Sequence, residues 1–146
     1  MVNEATHIEI FDTTLRDGEQ APGATMLVLD KLEIAAKLDD MKVGVIEAGF
    51  PAASAGDFKA VNEISKNSKT SVIAALSRSK RADIELAAEA TAPAHRRRIH
   101  TFISTSPIHM KYKLKMEPDD VLSAITDSVT LARNLSDDVE WSCEDG

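Results

Sequence analysis

One cysteine, one tryptophan and one tyrosine occur in 146 residues, and aromatic side chains make up 4% of the chain. A lone thiol, Cys143, excludes an internal disulfide framework and fits a reducing compartment. Positive charge is scarce. Lys and Arg number 17 against 24 Asp and Glu, and the net charge of −7 argues against a nucleic-acid footprint. The basic cluster Arg96-Arg97-Arg98 is too short to reverse that, and reads better as the entry to a strand than as a phosphate site. No apolar run approaches the length needed to span a membrane. Met1 to Thr6 lacks a basic start and an apolar stretch, so no signal peptide is expected. Neither a Walker-type phosphate loop nor GxGxxG occurs, and no local arrangement suggests a Ser-His-Asp nucleophile. With no low-complexity tract or linker, residues 1–146 are expected to form one unit without an internal boundary. What remains is an acidic, soluble, cytoplasmic chain, 43% apolar, with enough residues for a real core.

Strand and helix signals alternate along it. His7 to Asp12 is a short β-rich run, and Leu27 to Lys42 reads as a helix with Leu29, Leu32, Ala35 and Ala36 on one face. Val43 to Ala48 predicts a strand closed by Gly49-Phe50-Pro51. Ser54 and Asp57 resemble a capping box for a helix reaching about Lys66. Thr70 to Leu76 is a β-branched strand, and Lys80 to Thr91 a helix ended by Pro93. Ile99 to Thr105 is a fourth strand. Pro118 opens a helix with Leu122, Ile125, Val129 and Ala132 on one face, and Val139 to Cys143 is a fifth strand. Strands separated by helices mean a parallel sheet and an α/β fold. Five strands and four helices could complete an open doubly wound sheet. Polarity points instead to a closed barrel: His100, Phe102 and Ser104 share one strand face, and Glu140, Ser142 and Glu144 another. Helix-covered strands read as continuous apolar runs, whereas a barrel's mouth is wet.

Several residues stand out for chemistry. Arg16 and Asp17 follow the first strand, at the carboxyl end where parallel α/β folds gather ligands. Arginine presents a rigid fork for a carboxylate or oxyanion, and aspartate can ligate a hard cation. A plain ion pair on a loop is the competing reading. Glu47 follows Val45 and Ile46, either orienting Arg16 and a ligand or serving as a satisfied structural carboxylate. Arg78 could reach an anionic substrate or simply face solvent. His100 is a core or a site histidine, His109 a surface one, and the two lie too far apart for a local metal clip.

Four segments together carry a resemblance: FDTTLRDGEQ at 11–20, IEAGFP at 46–51, IHTFISTSP at 99–107 and VEWSCED at 139–145. In this order they are similar to the 2-isopropylmalate synthase family, part of the DRE-TIM metallolyase group that also holds homocitrate and citramalate synthases. The resemblance implies a TIM-type (β/α)8 barrel and a Claisen condensation of acetyl-CoA with 2-oxoisovalerate in leucine biosynthesis. It implies a divalent metal (Mn, Mg or Zn) bound by Asp17, with Arg16 and Glu144 as catalytic groups. Arg16, Gln20, Glu47, His100 and Ser142 match substrate-binding positions, and a homodimer is expected of the full-length enzyme. One departure matters: the family's His-x-His metal motif does not occur here. The chain therefore resembles the first five strands of the barrel. Alone, such a piece is expected to be inactive and prone to associate through its open edges.

Overall fold

The computed structural model describes residues 8–146, so His7 and the Met1–Thr6 start lie outside the described residues. Five strands, β1 (Phe11–Asp12), β2 (Val45–Gly49), β3 (Val72–Arg78), β4 (Arg97–Ser104) and β5 (Val139–Glu144), form one sheet. All neighbouring pairs are parallel, and the spatial order β1-β2-β3-β4-β5 is the chain order. This decides between the two architectures. A doubly wound sheet reverses its strand order so that helices cover both faces, whereas right-handed crossovers in unbroken order put every helix on one side. The sheet is a curled half-barrel, the first part of a (β/α) ring.

The helices α1 (Val28–Asp40), α2 (Ala55–Asn67), α3 (Arg81–Thr91) and α5 (Pro118–Leu135) fill the outer layer. Ile46, Ala48, Ile73, Ala75 and Ile99 point outward against Val61, Ile64, Ile84, Ala87 and Ala132. Burying that face is the main stabilising contribution, at roughly 25 cal/mol per Å² of apolar surface. The opposite, concave face has only a small apolar cluster, Phe11 with Val45, Val72 and Ala74. The polar alternation read from β4 and β5 is therefore the concave face.

Local signals mostly hold. Ser54 Oγ accepts the Asp57 amide at 3.0 Å and caps α2. β4 begins at Arg97, and the arginine cluster is structural: Arg97 donates to the Leu135 carbonyl at 2.6 Å and Arg98 to Asp138 at 2.9 Å. Three expectations need correction. β1 is two residues long, because only Phe11 and Asp12 find partners on β2, and Ile8 and Ile10 are exposed. Leu29 is 77% exposed and Ala36 is also outside; the buried stripe of α1 is Lys31, Ala35 and Asp39. Both charges there have partners from neighbouring elements, so they displace leucine from the buried positions. On α5 the seam runs through Val121, Ser128 and Ala132, which leaves Leu122 exposed. After β4 a short helix α4 (Pro107–His109) continues into a π-turn, Met110–Leu114.

Candidate active site at the strand carboxyl ends

The loop after β1 is built by its own side chains. Asp12 Oδ1 accepts the Thr14 amide at 3.0 Å, and the Thr13 carbonyl accepts the amides of Arg16 and Gly18, both at 3.1 Å. This tight turn sends Leu15 into the core and leaves Arg16 only 19% exposed. On β2 the pairing with β3 shifts register between Glu47 and Gly49, a bulge of the kind that re-aims a side chain. Gly49 suits that bulge: its φ is +152°, and an added Cβ would sit 3.1 Å from Val61.

Four side chains, from the loop after β1 and from β2, β4 and β5, then join on the concave face. Arg16 Nε donates to Glu47 Oε2 at 2.6 Å, and His100 Nδ1 lies 2.6 Å from Glu47 Oε1. Glu47 is fully buried, so its charge depends on these two partners. A carboxylate accepts, so Nδ1 is the protonated ring nitrogen. His100 Nε2 is left to Ser142 Oγ, 2.8 Å away, and Phe11 meets the ring edge-on with centroids 6.2 Å apart. Arg16 Nη1 donates to Asp17 Oδ1 at 2.9 Å, while Nη2 has no hydrogen bond among the described residues. Asp17 is 64% exposed at the rim. Arg16 and Asp17 thus form an ion pair on the loop that follows β1.

Glu144 belongs to a neighbouring group. Its carboxylate accepts Lys113 Nζ at 2.5 Å and the Ser104 hydroxyl, and Lys113 also reaches Ser104 at 3.1 Å. The Lys113 hydrogen bond, then that of Ser104, holds the Glu144 carboxyl below its usual range despite some desolvation. Gln20 ends a 3-10 turn, Gly18–Gln20, and is exposed beside a cleft of about 170 Å³ lined by Arg16, Gly49 and Phe50. Glu140 Oε1 is 3.9 Å from His100 Nε2 but bonds Arg98 at 3.3 Å. Arg78 is already engaged: its Nε and Nη2 donate to the two oxygens of Asp83, at 2.5 and 3.2 Å, and the group lies over the Phe50 ring. His109 is a partly exposed residue 3.5 Å from Asp145.

A metal centre is not complete here. Asp17 offers one exposed carboxylate, and no three His, Cys, Asp or Glu side chains among the described residues gather as metal ligands. Two residues of this rim escape a reading of the sequence. Lys113 sits in a run, Lys111 to Lys115, that looks like solvated charge, and Phe11 looks like ordinary core. None of the helices is long and apolar enough to cross a membrane.

Known proteins share this pattern. The chain is 63% identical over 144 residues to a 2-isopropylmalate synthase of Bradyrhizobium sp. (strain ORS 278), covering 99% of this chain and 27% of that protein. A protein of the same name from Rhodopseudomonas palustris (strain BisB5) is 62% identical over 143 residues, 98% of this chain and 27% of its own length. The Aquifex aeolicus (strain VF5) protein of that name is 60% identical over 138 residues, 94% of this chain and 26% of its own. The chain thus spans about a quarter of the length of these relatives. The HMGL-like family model matches residues 7–146, nearly end to end. With the half-barrel and its rim as described, the chain belongs to the HMGL-like family.

Proposed function

We propose that this chain supplies the keto-acid side of a 2-isopropylmalate synthase-type active site. The reaction is a Claisen condensation of acetyl-CoA with 2-oxoisovalerate. A base takes a methyl proton of acetyl-CoA, and the resulting carbanion forms a carbon–carbon bond to the keto carbon as the keto C=O π pair becomes an alkoxide that is protonated. Water then cleaves the thioester to give the carboxylate and the CoA thiol. The observation that supports this reading best is Arg16, fixed by Glu47 and carrying an unused Nη2 donor beside exposed Asp17.

In this reading Arg16 receives charge developing on the keto-acid oxygens, already oriented before substrate arrives. Ser142 and His100 add a hydroxyl and a ring nitrogen from the facing strands. Gln20 contributes a polar contact at the rim, and Glu144 is a further carboxylate there, held by Lys113. Asp17 would be one donor for a divalent cation; no set of three His, Cys, Asp or Glu donors gathers among the described residues. Citramalate or homocitrate synthesis would use the same rim with another keto-acid side chain.

The test is a chimera in which residues 8–146 replace the matching segment of the Aquifex aeolicus relative. Acetyl-CoA-dependent CoA release with 2-oxoisovalerate is expected to persist, to fall at least about a hundredfold with Arg16→Ala, and to need more metal with Asp17→Ala. An Arg16→Ala chimera as active as its parent would overturn the reading.

A second reading has its own support: among the described residues β1 and β5 each pair on one side only. In it the half-barrel acts by association, and a dispersed monomer in sedimentation would dismiss it.

A further inference from the structure

Lys31 lies on α1, outside the rim just described, yet its side chain is only 4% exposed. A buried ammonium is costly unless paired, and this one has two carboxylates. Nζ is 2.6 Å from Glu19 Oε2 and 3.0 Å from Asp57 Oδ1. Glu19 belongs to the 3-10 turn that directly follows Arg16-Asp17, and its other oxygen accepts the Met26 amide at 3.3 Å. Asp57 lies in the first turn of α2, where its other oxygen takes the hydroxyl of the capping Ser54 at 2.6 Å. The element preceding that cap is β2, which carries Glu47. Glu19, Asp57, Arg16, Gly49 and Phe50 line the same cleft. One cation therefore ties together the two loops whose neighbouring side chains form the Arg16–Glu47 pair.

Burial pulls the Lys31 ammonium down, but its hydrogen bonds to Glu19 and Asp57 outweigh that and raise it above its ordinary value. The pair of contacts also explains why a lysine and not a leucine occupies the buried stripe of α1. An apolar residue there would pack, but it would hold neither loop.

We infer that Lys31 is a positioning residue: through Glu19 and Asp57 it locks the β1–α1 loop against the start of α2 and so fixes the direction of the Arg16 guanidinium. This rests on the proposed role of Arg16 for its functional meaning. Its test reads loop geometry instead of turnover, so the two can fail separately.

The readout is hydrogen exchange of the Arg16 Nε–H, the proton donated to Glu47, followed by NMR on the 146-residue chain and assigned by its loss in Arg16→Lys. In Lys31→Met and in Glu19→Met, exchange is expected to quicken about tenfold or more while the β3 and β4 amides keep their protection. Lys31→Arg, which restores a cation between the carboxylates, is expected to return it to within about threefold of the parent. Asp39→Asn weakens the fold elsewhere and is expected to leave the Arg16 signal unchanged. Unaltered Arg16 exchange in either folded variant would overturn the inference, as would equal acceleration by Asp39→Asn. Glu19→Met, which leaves Lys31 with Asp57, decides the matter if Lys31→Met does not fold. Unfolding by both would also overturn it, because a latch confined to the rim leaves the rest of the sheet standing.

Discussion

Glu47 and His100 meet through a 2.6 Å hydrogen bond on the concave face of the sheet, although 53 residues separate them. The second oxygen of the same carboxylate holds Arg16. Two site side chains thus depend on one buried anion, and its removal has a defined effect. Glu47→Ala strands the His100 Nδ1 proton and the Arg16 charge, so a loss of about 3–5 kcal/mol is expected. Glu47→Gln keeps one acceptor and should cost less. Urea unfolding of the three proteins measures this, and a midpoint for Glu47→Ala equal to the parent's would refute the role given to Glu47.

Asp39 offers a prediction in pH. Its carboxylate accepts the Ser71 amide at 2.7 Å, the Lys69 amide at 2.9 Å and the Thr70 amide at 3.0 Å. Burial alone would push the carboxyl up, but these amides outweigh it and hold it far below the ordinary carboxylate value. A group depressed in the folded state stabilises fully above its unfolded pKa of about 3.9 and loses that contribution as pH falls toward the folded one. Asp39→Asn should therefore cost about 2–3 kcal/mol near pH 7, and less at pH 3. A urea midpoint gap that stays constant between those pH values would contradict this account.

At the other end of the rim, Lys113 is expected to control Glu144. Lys113→Met removes the strongest of the influences that lower this carboxyl, so its titration should move upward, toward the ordinary range. Carbon-detected NMR titration of the Glu144 carboxyl checks the direction. A downward or absent shift would mean that Ser104 alone holds it.

Self-association is expected of the isolated chain. Among the described residues the outer edge of β5 has no strand partner, and Trp141, on its convex face, is 37% exposed. Unpaired edges recruit further strands. Sedimentation velocity should show concentration-dependent species, and Trp141→Lys should shift the population toward monomer.

Much of this was legible before any coordinates. Thr70–Leu76 and Ile99–Thr105 are rich in apolar and β-branched residues, which strand geometry favours, and the period of two in β4 and β5 pointed to a wet face. The four motifs contain Arg16, Glu47, His100 and Ser142, the four side chains that meet on the concave face. The stripe of α1 was not legible, because hydrophobicity cannot announce that Lys31 and Asp39 will find partners 26 and 32 residues away in the sequence. Lys113 was hidden for the same reason: its partner Glu144 is 31 residues further on, across a helix. The brevity of β1 depends on how much of β2 it can reach, which is a tertiary matter.

Because β1 to β5 stand side by side in the order of synthesis, each strand finds its neighbour already made when it emerges. Among the described residues each new pairing closes only the one β-α step that separates consecutive strands. Growth of the sheet can then proceed one strand and one helix at a time, with the most recent edge serving as template for the next. The same order confines each rim loop to its own β-α step, so lengthening one of them leaves the pairing of all the others untouched.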